Sequence, residues 1–396
     1  MGKARLSLFF QAHESEMFFD VEEEFGCGIC RWCDGFVPVS SFFAVHGRMR
    51  TMEMQVHIEG EGVAAACCAQ LFTESGQPWA SSRIARPKLG AVLLSRQTVA
   101  LLAGVFPATD LVSVGHRIQK RVVAWGQAAE PITLPHSALV ISEADLLTRL
   151  WAQVQTPAQS PAGGWKFLSS GASCPQQQAF GTRLASVARA ALKRDVDQSA
   201  CWIESVDSGW LFLLPRGENE AATLIAVGKT PGALLGQSRI IAGLIGALEG
   251  AAAEFPAYPR IGVPLCGNGW LACGAAAIGF DPLCGEGTGN AARQAYLATA
   301  LIAAVRAGEP VEDLLAHYTS RQMHGFLRHL QICLGFYQSA GSGAFWQSET
   351  AMLQQGIEWA GQVLREYAKP PTHRLVGRQL QPISPYMEVS HRKPEG

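Results

Sequence analysis

No uninterrupted apolar run in this chain reaches the roughly eighteen residues that a membrane-crossing helix needs, because charge or glycine breaks each one. An excess of either charge is also missing. Against 32 Lys and Arg stand 33 Asp and Glu, a formal net charge of -1. That leaves no broad basic surface for nucleic acid. Charged residues make up only 16% of the 396 and hydrophobic ones 48%, which excludes a solvated disordered chain and allows two or three units with substantial cores. A disulfide framework is absent as well. The 11 cysteines are odd in number and scattered through apolar segments, which suits packing in a reducing compartment, so a cytoplasmic location is expected. The basic-then-apolar opening MGKARLSLFF is cut short by polar residues 11–16 and makes a poor signal peptide.

Residues 1–50 carry no pattern long enough to close a core and are expected to form an extension. Within them Cys27, Cys30 and Cys33 have C-x-x-C-x-x-C spacing, which suits zinc or part of an iron–sulfur cluster. No fourth ligand follows at a normal spacing, so no metal centre is expected. Met49, Met52 and Met54 stand just before the first convincing strand and leave a translation start there open.

What the chain does have is glycine, 41 residues of it, placed at turns. A short strand over 55–58 runs into Gly60-Glu61-Gly62 and a small-residue helix over 63–72, which Gly76 stops. Strand, tight glycine turn, helix is the opening of a dinucleotide-binding unit. Gly60 permits the turn, Gly62 lets backbone approach a pyrophosphate, and Ala65 stands where a small residue allows close helix–strand packing. An ordinary glycine turn has the same spacing. Glu61 puts a negative charge beside the proposed anion site, and residues 79–84 offer no carboxylate for a ribose.

Further along, a helix is expected over 95–105 and strands over 118–125. Ser142 is expected to cap a helix, with Asp145 three residues on. Residues 151–164 read as a connection and 179–192 as a helix. Strands over 200–206, 210–215 and 222–227 form an antiparallel meander, and a helix over 234–249 returns the chain. The segment 269–305 is the sharpest: a buried strand, Gly274, Asp281-Pro282, glycines at 285, 287 and 289, then a long alanine-rich helix. Such a loop aims bare backbone N–H groups at a ligand, and equally serves as a plain connection to a packing helix. Candidate proton handlers are few: His136, Glu143 at the start of the following helix, and Asp281 in the glycine loop, for which helix capping is the alternative role. His317 and His324 share a helix face, while His329 is rotated away from them, so no metal centre is expected there.

GWLACGAAAIGFDPLCGEGTGNA resembles the second flavin-binding segment of FAD monooxygenases and flavin-dependent tryptophan halogenases. VHIEGEGVAAACCAQLF is similar to their first FAD motif, and FGTR, ending at Arg183, to their middle Gly-x-x-Arg region. RVVAWG, LPHSALVISEADLLTRL, CWIESVDSGWLFLLP and HYTSRQMHGFLRHLQICLGFY are closer still to the LodB/GoxB-type flavoprotein maturases of cysteine tryptophylquinone oxidases. The likeness spans residues 54–350. It implies an α/β plus β fold: an FAD-binding Rossmann-like domain of the glutathione-reductase type (54–160 and 255–310), an antiparallel-sheet substrate domain (161–254), C-terminal helices (311–362) and a mobile tail (363–396).

The same likeness implies FAD as cofactor. Gly60, Gly62 and Ala65 would face the pyrophosphate, Gly274 would lie near the ribityl chain, Pro282, Gly285 and Gly287 beside the isoalloxazine, and Arg183 in the binding set. It further implies a partner, the precursor of a quinone-cofactor oxidase whose tryptophan is modified, and an external reductant, since no second nucleotide motif is present. Two features depart from the pattern: Ala275 replaces the usual ribityl-binding Asp, and the ribose carboxylate is missing. Halogenation is less well supported, since Trp210-Leu211-Phe212-Leu213-Leu214-Pro215 has one tryptophan where halogenases carry two, and Lys88 has no catalytic context. A flavin-free binding descendant is the remaining alternative.

Because residues 1–50 lack a packing pattern, a chain starting at Met52 is expected to melt at the same temperature as the full chain. A drop of several degrees in a thermal melt would show that the segment packs.

Overall fold

The computed structural model describes residues 54–126, 130–155, 164–174, 176–217, 220–366 and 372–383. The cysteine triplet, Met49 and Met52 lie outside them.

β1 (Val56–Glu59) leads through Gly60 into α1 (Val63–Glu74), and β2 (Trp79–Ser82) returns parallel to β1. Most of α1 is buried, so it is a core helix rather than an amphipathic surface one. Next come β3 (Val92–Ser95), α2 (Arg96–Val105), the single turn α3 (Leu111–Val114), β4 (His116–Ala124), β5 (Ile132–Ile141) and α4 (Glu143–Gln153). Ser95 and Ser142 cap α2 and α4, accepting from the N–H of Thr98 at 3.2 Å and of Asp145 at 3.0 Å.

β6 (Trp165–Leu168) then returns to pair in parallel with β1. β7 (Gln177–Ala179) precedes a run of long strands, β8 (Leu184–Leu192), β9 (Ala200–Val206), β10 (Gly209–Pro215) and β11 (Ala221–Val227). Two short turns, α5 (Pro231–Leu235) and α6 (Ile241–Leu244), lead into β12 (Ile245–Pro256). Short strands β13 (Arg260–Gly262), β14 (Cys266–Gly267), β15 (Trp270–Ala272) and β16 (Ile278–Gly279) bring the chain to three long helices. These are α7 (Gly287–Arg306), α8 (Val311–Ala340) and α9 (Ala344–Glu366), followed by the hairpin β17 (His373–Val376) and β18 (Gln379–Pro382).

Two large sheets result. The first has order β14-β15-β6-β1-β2, with its last four strands parallel. The second has eight strands in order β12-β8-β11-β10-β9-β4-β5-β3, antiparallel except where β4 meets β9. The α/β-plus-β character expected from the sequence is present.

Several expectations are corrected. Residues 184–192 are not helical. Their alanines favour a helix locally, but as β8 they fill the place between β11 and β12, and tertiary pairing overrides propensity. The helix over 234–249 also fails: Gly236, Gly243 and Gly246 interrupt it, and β12 begins at Ile245. Sheet membership does not change at residue 160, since β3, β4 and β5 join the eight-stranded sheet and β6 joins the parallel one. The segment taken as a mobile tail is partly built. Residues 363–366 finish α9, and the hairpin packs on α7, where Arg378 pairs with Glu74 and donates to Gly104 O at 2.8 Å. Among the described residues no helix is long and apolar enough to cross a membrane.

The hairpin brings His373 against His317 of α8, ring centroids 5.8 Å apart. Burial first, then Arg321 and His373, pulls the His317 pKa from 6.5 down to about 4. The Glu309 carboxylate, 4.0 Å from His373, is the acidic group facing the pair. An unfolded chain takes up this proton near pH 6.5 and the folded one resists it, so the stability is complete above about 6.5 and lost as pH falls towards about 4. The urea midpoint is expected to fall between about pH 7 and about pH 5, and to fall less in His317→Gln. An equal fall in both proteins would place the titration elsewhere.

Candidate active site

β1 and β15 both run parallel to β6, so the turns after them, at Gly60 and Gly274, leave the same edge of one sheet. Ligands of open α/β sheets bind at that edge. Gly60 stands at φ +132, where a Cβ would collide with Ser169 Oγ, and Gly274 at φ +60, where a Cβ would come 2.7 Å from the Ala64 Cβ. Both positions require glycine. The Gly274 N–H donates to Gln294 Oε1 at 2.6 Å. Gly62 caps α1, and the nearest group to a Cβ there would be Arg86 Nη2 at 3.9 Å, which leaves the helix N-terminus approachable. Ala65 is wholly buried inside α1 and serves packing, not a pyrophosphate contact.

The charge of Glu61 is balanced. It pairs with Lys88 and accepts from the Arg86 N–H at 3.1 Å, and the hydrogen bond from Lys88 is the main reason its pKa lies below the usual range. Arg86 in turn pairs with Glu143 of α4. Where a ribose carboxylate was sought, β2 ends in Ser82, bonded to His57 Nε2 at 2.9 Å, and Arg83 follows, lying over the Trp151 ring at 4.8 Å. Ala275 is exposed, so the position of the missing ribityl Asp faces open space.

The loop from Asp281 to Gly287 is pinned from behind. Asp281 is buried and caps the turn Pro282–Cys284, its Oδ1 accepting from the Leu283 N–H at 2.8 Å. Its Oδ2 accepts from Arg183 Nε at 2.9 Å and from the Tyr337 hydroxyl at 2.8 Å. Arg183 also pairs with Glu349 of α9 and lies 4.5 Å over the Tyr337 ring. Burial opposes the charge of Arg183, yet the surrounding Tyr337, Asp281 and Glu349 outweigh it and raise its pKa. Asp281 and Arg183, expected at the reacting centre and at the cofactor, have their side chains committed to this buried network instead. Neither lines the cavity in front of the loop.

That cavity, about 600 Å³, lies between the loop and the β3–β5–β4 end of the large sheet. Cys284, Gly285 and Glu286 form one wall, His136, Arg121 and Gln119 another, and Ser95, Arg96 and Gln97 at the start of α2 a third. His136 and Gly285 are therefore brought together as expected neighbours of one site. Gly285, at φ +68, and Gly287 have open space where a Cβ would stand. Pro282 opens the turn before them. His136 Nε2 lies 2.9 Å from Arg121 Nη2. A guanidinium only donates, so Nε2 accepts and the ring proton rests on Nδ1.

Sequence inspection missed Glu286 and Arg121. Burial raises the Glu286 pKa, with Arg293 at 3.7 Å pulling the other way, and Thr98 Oγ1 approaches it at 3.4 Å. A carboxylate set between the loop glycines was the available signal. Arg121 follows from pairing: it opposes Leu134, two residues from His136. Lys88 is held by Glu61 outside the cavity, and Trp210 is buried with its indole N–H on the Tyr337 hydroxyl at 3.1 Å.

No protein-family model and no curated protein matches the chain. Solved structures do: its fold is similar to that of FAD-dependent halogenases and monooxygenases. The flavin-dependent halogenase CmlS superposes with a TM-score of 0.66 at 15% identity, over 77% of this chain and 70% of that one. QhpG, a peptidyl tryptophan dihydroxylase essential for tryptophylquinone cofactor biogenesis, gives 0.62 at 18% identity over 75% and 79%. The myxobacterial chondrochloren halogenase CndH gives 0.62 at 15% identity over 82% and 93%.

Breaking the buried network should be far more damaging than breaking an exposed pair. Arg183→Met leaves two buried carboxylates unpaired and is expected to lower unfolding free energy by about 3–5 kcal/mol. Lys120→Ala removes an exposed partner of Asp197 and should change it by about 1 kcal/mol or less. Urea denaturation of both variants measures the difference.

Proposed function

We propose that this protein is an FAD-dependent oxidoreductase of the monooxygenase kind, acting on a tryptophan held in a polypeptide during tryptophylquinone maturation of a partner oxidase. The observation that carries the reading is the open wall at Gly285, just before the start of α7, facing a cavity whose opposite side bears His136. The residues fit FAD at both ends. Gly62 with Arg86 and Lys88 nearby suits a pyrophosphate, and the start of α7 suits the electron-rich edge of a flavin. Bound there, FAD would supply the oxygen-activating redox chemistry.

What falls to the chain itself is placement and proton handling. Hydroxylating an indole carbon takes one oxygen atom of O2 into a C–OH bond. The other leaves as water, with two electrons from an external reductant and two protons. His136 Nε2, which accepts from Arg121, is placed to take the proton released at the ring carbon by exchanging that hydrogen bond for it. Glu286, its pKa raised by burial, is a second proton carrier in the same cavity. Polar Gln97, Gln119 and Ser137 on the walls suit the amides of a peptide better than a free hydrocarbon ring.

Two hydrogen-bonding carboxylates of related sites are missing here, a loss of about 3 kcal/mol or somewhat more than a hundredfold in affinity. FAD binding is therefore expected to be weak in the isolated chain, stronger with a partner precursor, and stronger in Ala275→Asp, whose carboxylate would enter the open space at that position. Flavin-fluorescence titration of both proteins, with and without a tryptophan-bearing oxidase precursor, measures this. Absence of binding at tens of micromolar under every condition would remove the enzymatic reading and favour a binding role. Turnover of free tryptophan but not of the precursor would favour a small-molecule oxygenase.

A further inference from the structure

Behind the cavity wall, three metal-ligating side chains converge that the flavin reading does not use. Cys284 comes from the turn before Gly285, and His329 and Cys333 lie one helical turn apart on α8. Their ligand atoms all fall within 4.8 Å of one another, and all three residues are buried. The two sulfurs are 3.9 Å apart, and Cys333 Sγ is 3.5 Å from His329 Nε2. A tetrahedral zinc ion, with Zn–S of about 2.3 Å and Zn–N of about 2.0–2.1 Å, spaces its ligands about 3.8 Å for S···S and about 3.5–3.6 Å for S···N. The separation of the two sulfurs and that of Cys333 from His329 match a tetrahedral set.

From this coincidence we infer a zinc-type site formed by Cys284, His329 and Cys333. Two thiolates and a neutral imidazole are the donor set that a thiophilic divalent cation prefers. His329 Nε2 now accepts from the Asp281 N–H at 2.9 Å, which directs its lone pair at that N–H and leaves the proton on Nδ1. Metal ligation exchanges that hydrogen bond for the ion. Charge is matched, because two thiolates neutralise a divalent cation. The ion would tie the flavin-side loop to α8 directly, beside the Arg183 network that already ties it through Asp281. The site stands whether or not FAD binds.

The test uses the full chain, purified without chelator and analysed for metals, then stripped and titrated with Co2+. One zinc per chain, or tetrahedral Co2+ bands with thiolate-to-metal absorption in the near ultraviolet, is expected. Cys284→Ser and Cys333→Ser should each weaken or abolish that absorption, while Cys174→Ser leaves it unchanged. A separate pair, Cys27→Ser and Cys30→Ser, guards against metal held by the N-terminal triplet. Absorption lost in that pair but kept in the Cys284 and Cys333 variants would overturn the assignment. So would the absence of any thiolate band in the wild type, or thiol counting that shows Cys284 and Cys333 already joined as a disulfide.

Discussion

The structure turns on one buried cation. Arg183 lies at the entrance to β8, and its guanidinium reaches Asp281 of the loop and Glu349 of α9 while stacking on Tyr337 of α8. Each of these groups alone would be costly to bury, since an unpaired ion in the interior loses several kcal/mol of hydration. Together they offset one another's charge. Glu349 also accepts from the Thr182 N–H and hydroxyl, both at 3.2 Å, and Trp210 completes the set through Tyr337. Sheet, loop and two helices therefore share one electrostatic knot, and the glycine wall of the cavity can hold its shape only while that knot is intact.

This explains a division of labour along seven residues. Asp281 and Leu283 are bonded and packed in the interior, whereas Gly285 and Gly287 have open space where a Cβ would stand. A loop anchored at one end and bare at the other presents backbone donors without collapsing onto them. The first glycine turn uses a different device. Gly60 and Gly274 are forced by close packing against Ser169 and Ala64, so there the sheet itself fixes the backbone.

The sequence made the glycine turns, the strands of the meander and the Ser142 cap legible because each rests on local chemistry. Gly60 and Gly62 sit in a spacing that only a tight turn uses, and Ser142 meets its N–H three residues on. What stayed hidden was non-local. Residues 184–192 look helical until β11 and β12 flank them, and nothing near Arg183 foretells that Asp281 and Glu349, 98 and 166 positions away, will close on it. His136 was visible as a candidate, but its partner Arg121 emerges only from the β4–β5 register. Asp281 was singled out for its place beside proline and glycine, and that same place makes it a cap with its remaining oxygen spent on Arg183.

The charge on Glu286 decides how the cavity treats an anion. It precedes α7, whose free N–H groups carry the equivalent of about half a positive charge. An ionised carboxylate at this point would cancel that field, leaving nothing for a ligand. Burial works against ionisation and is the largest influence on the group, exceeding the pull of Arg293, so its pKa rises. Burial therefore weakens the opposition that this carboxylate offers to the helix field, and Arg293 at 3.7 Å offsets part of its charge. Arg96 and Arg121 on the other walls add two cationic groups for whatever negative edge enters the cavity.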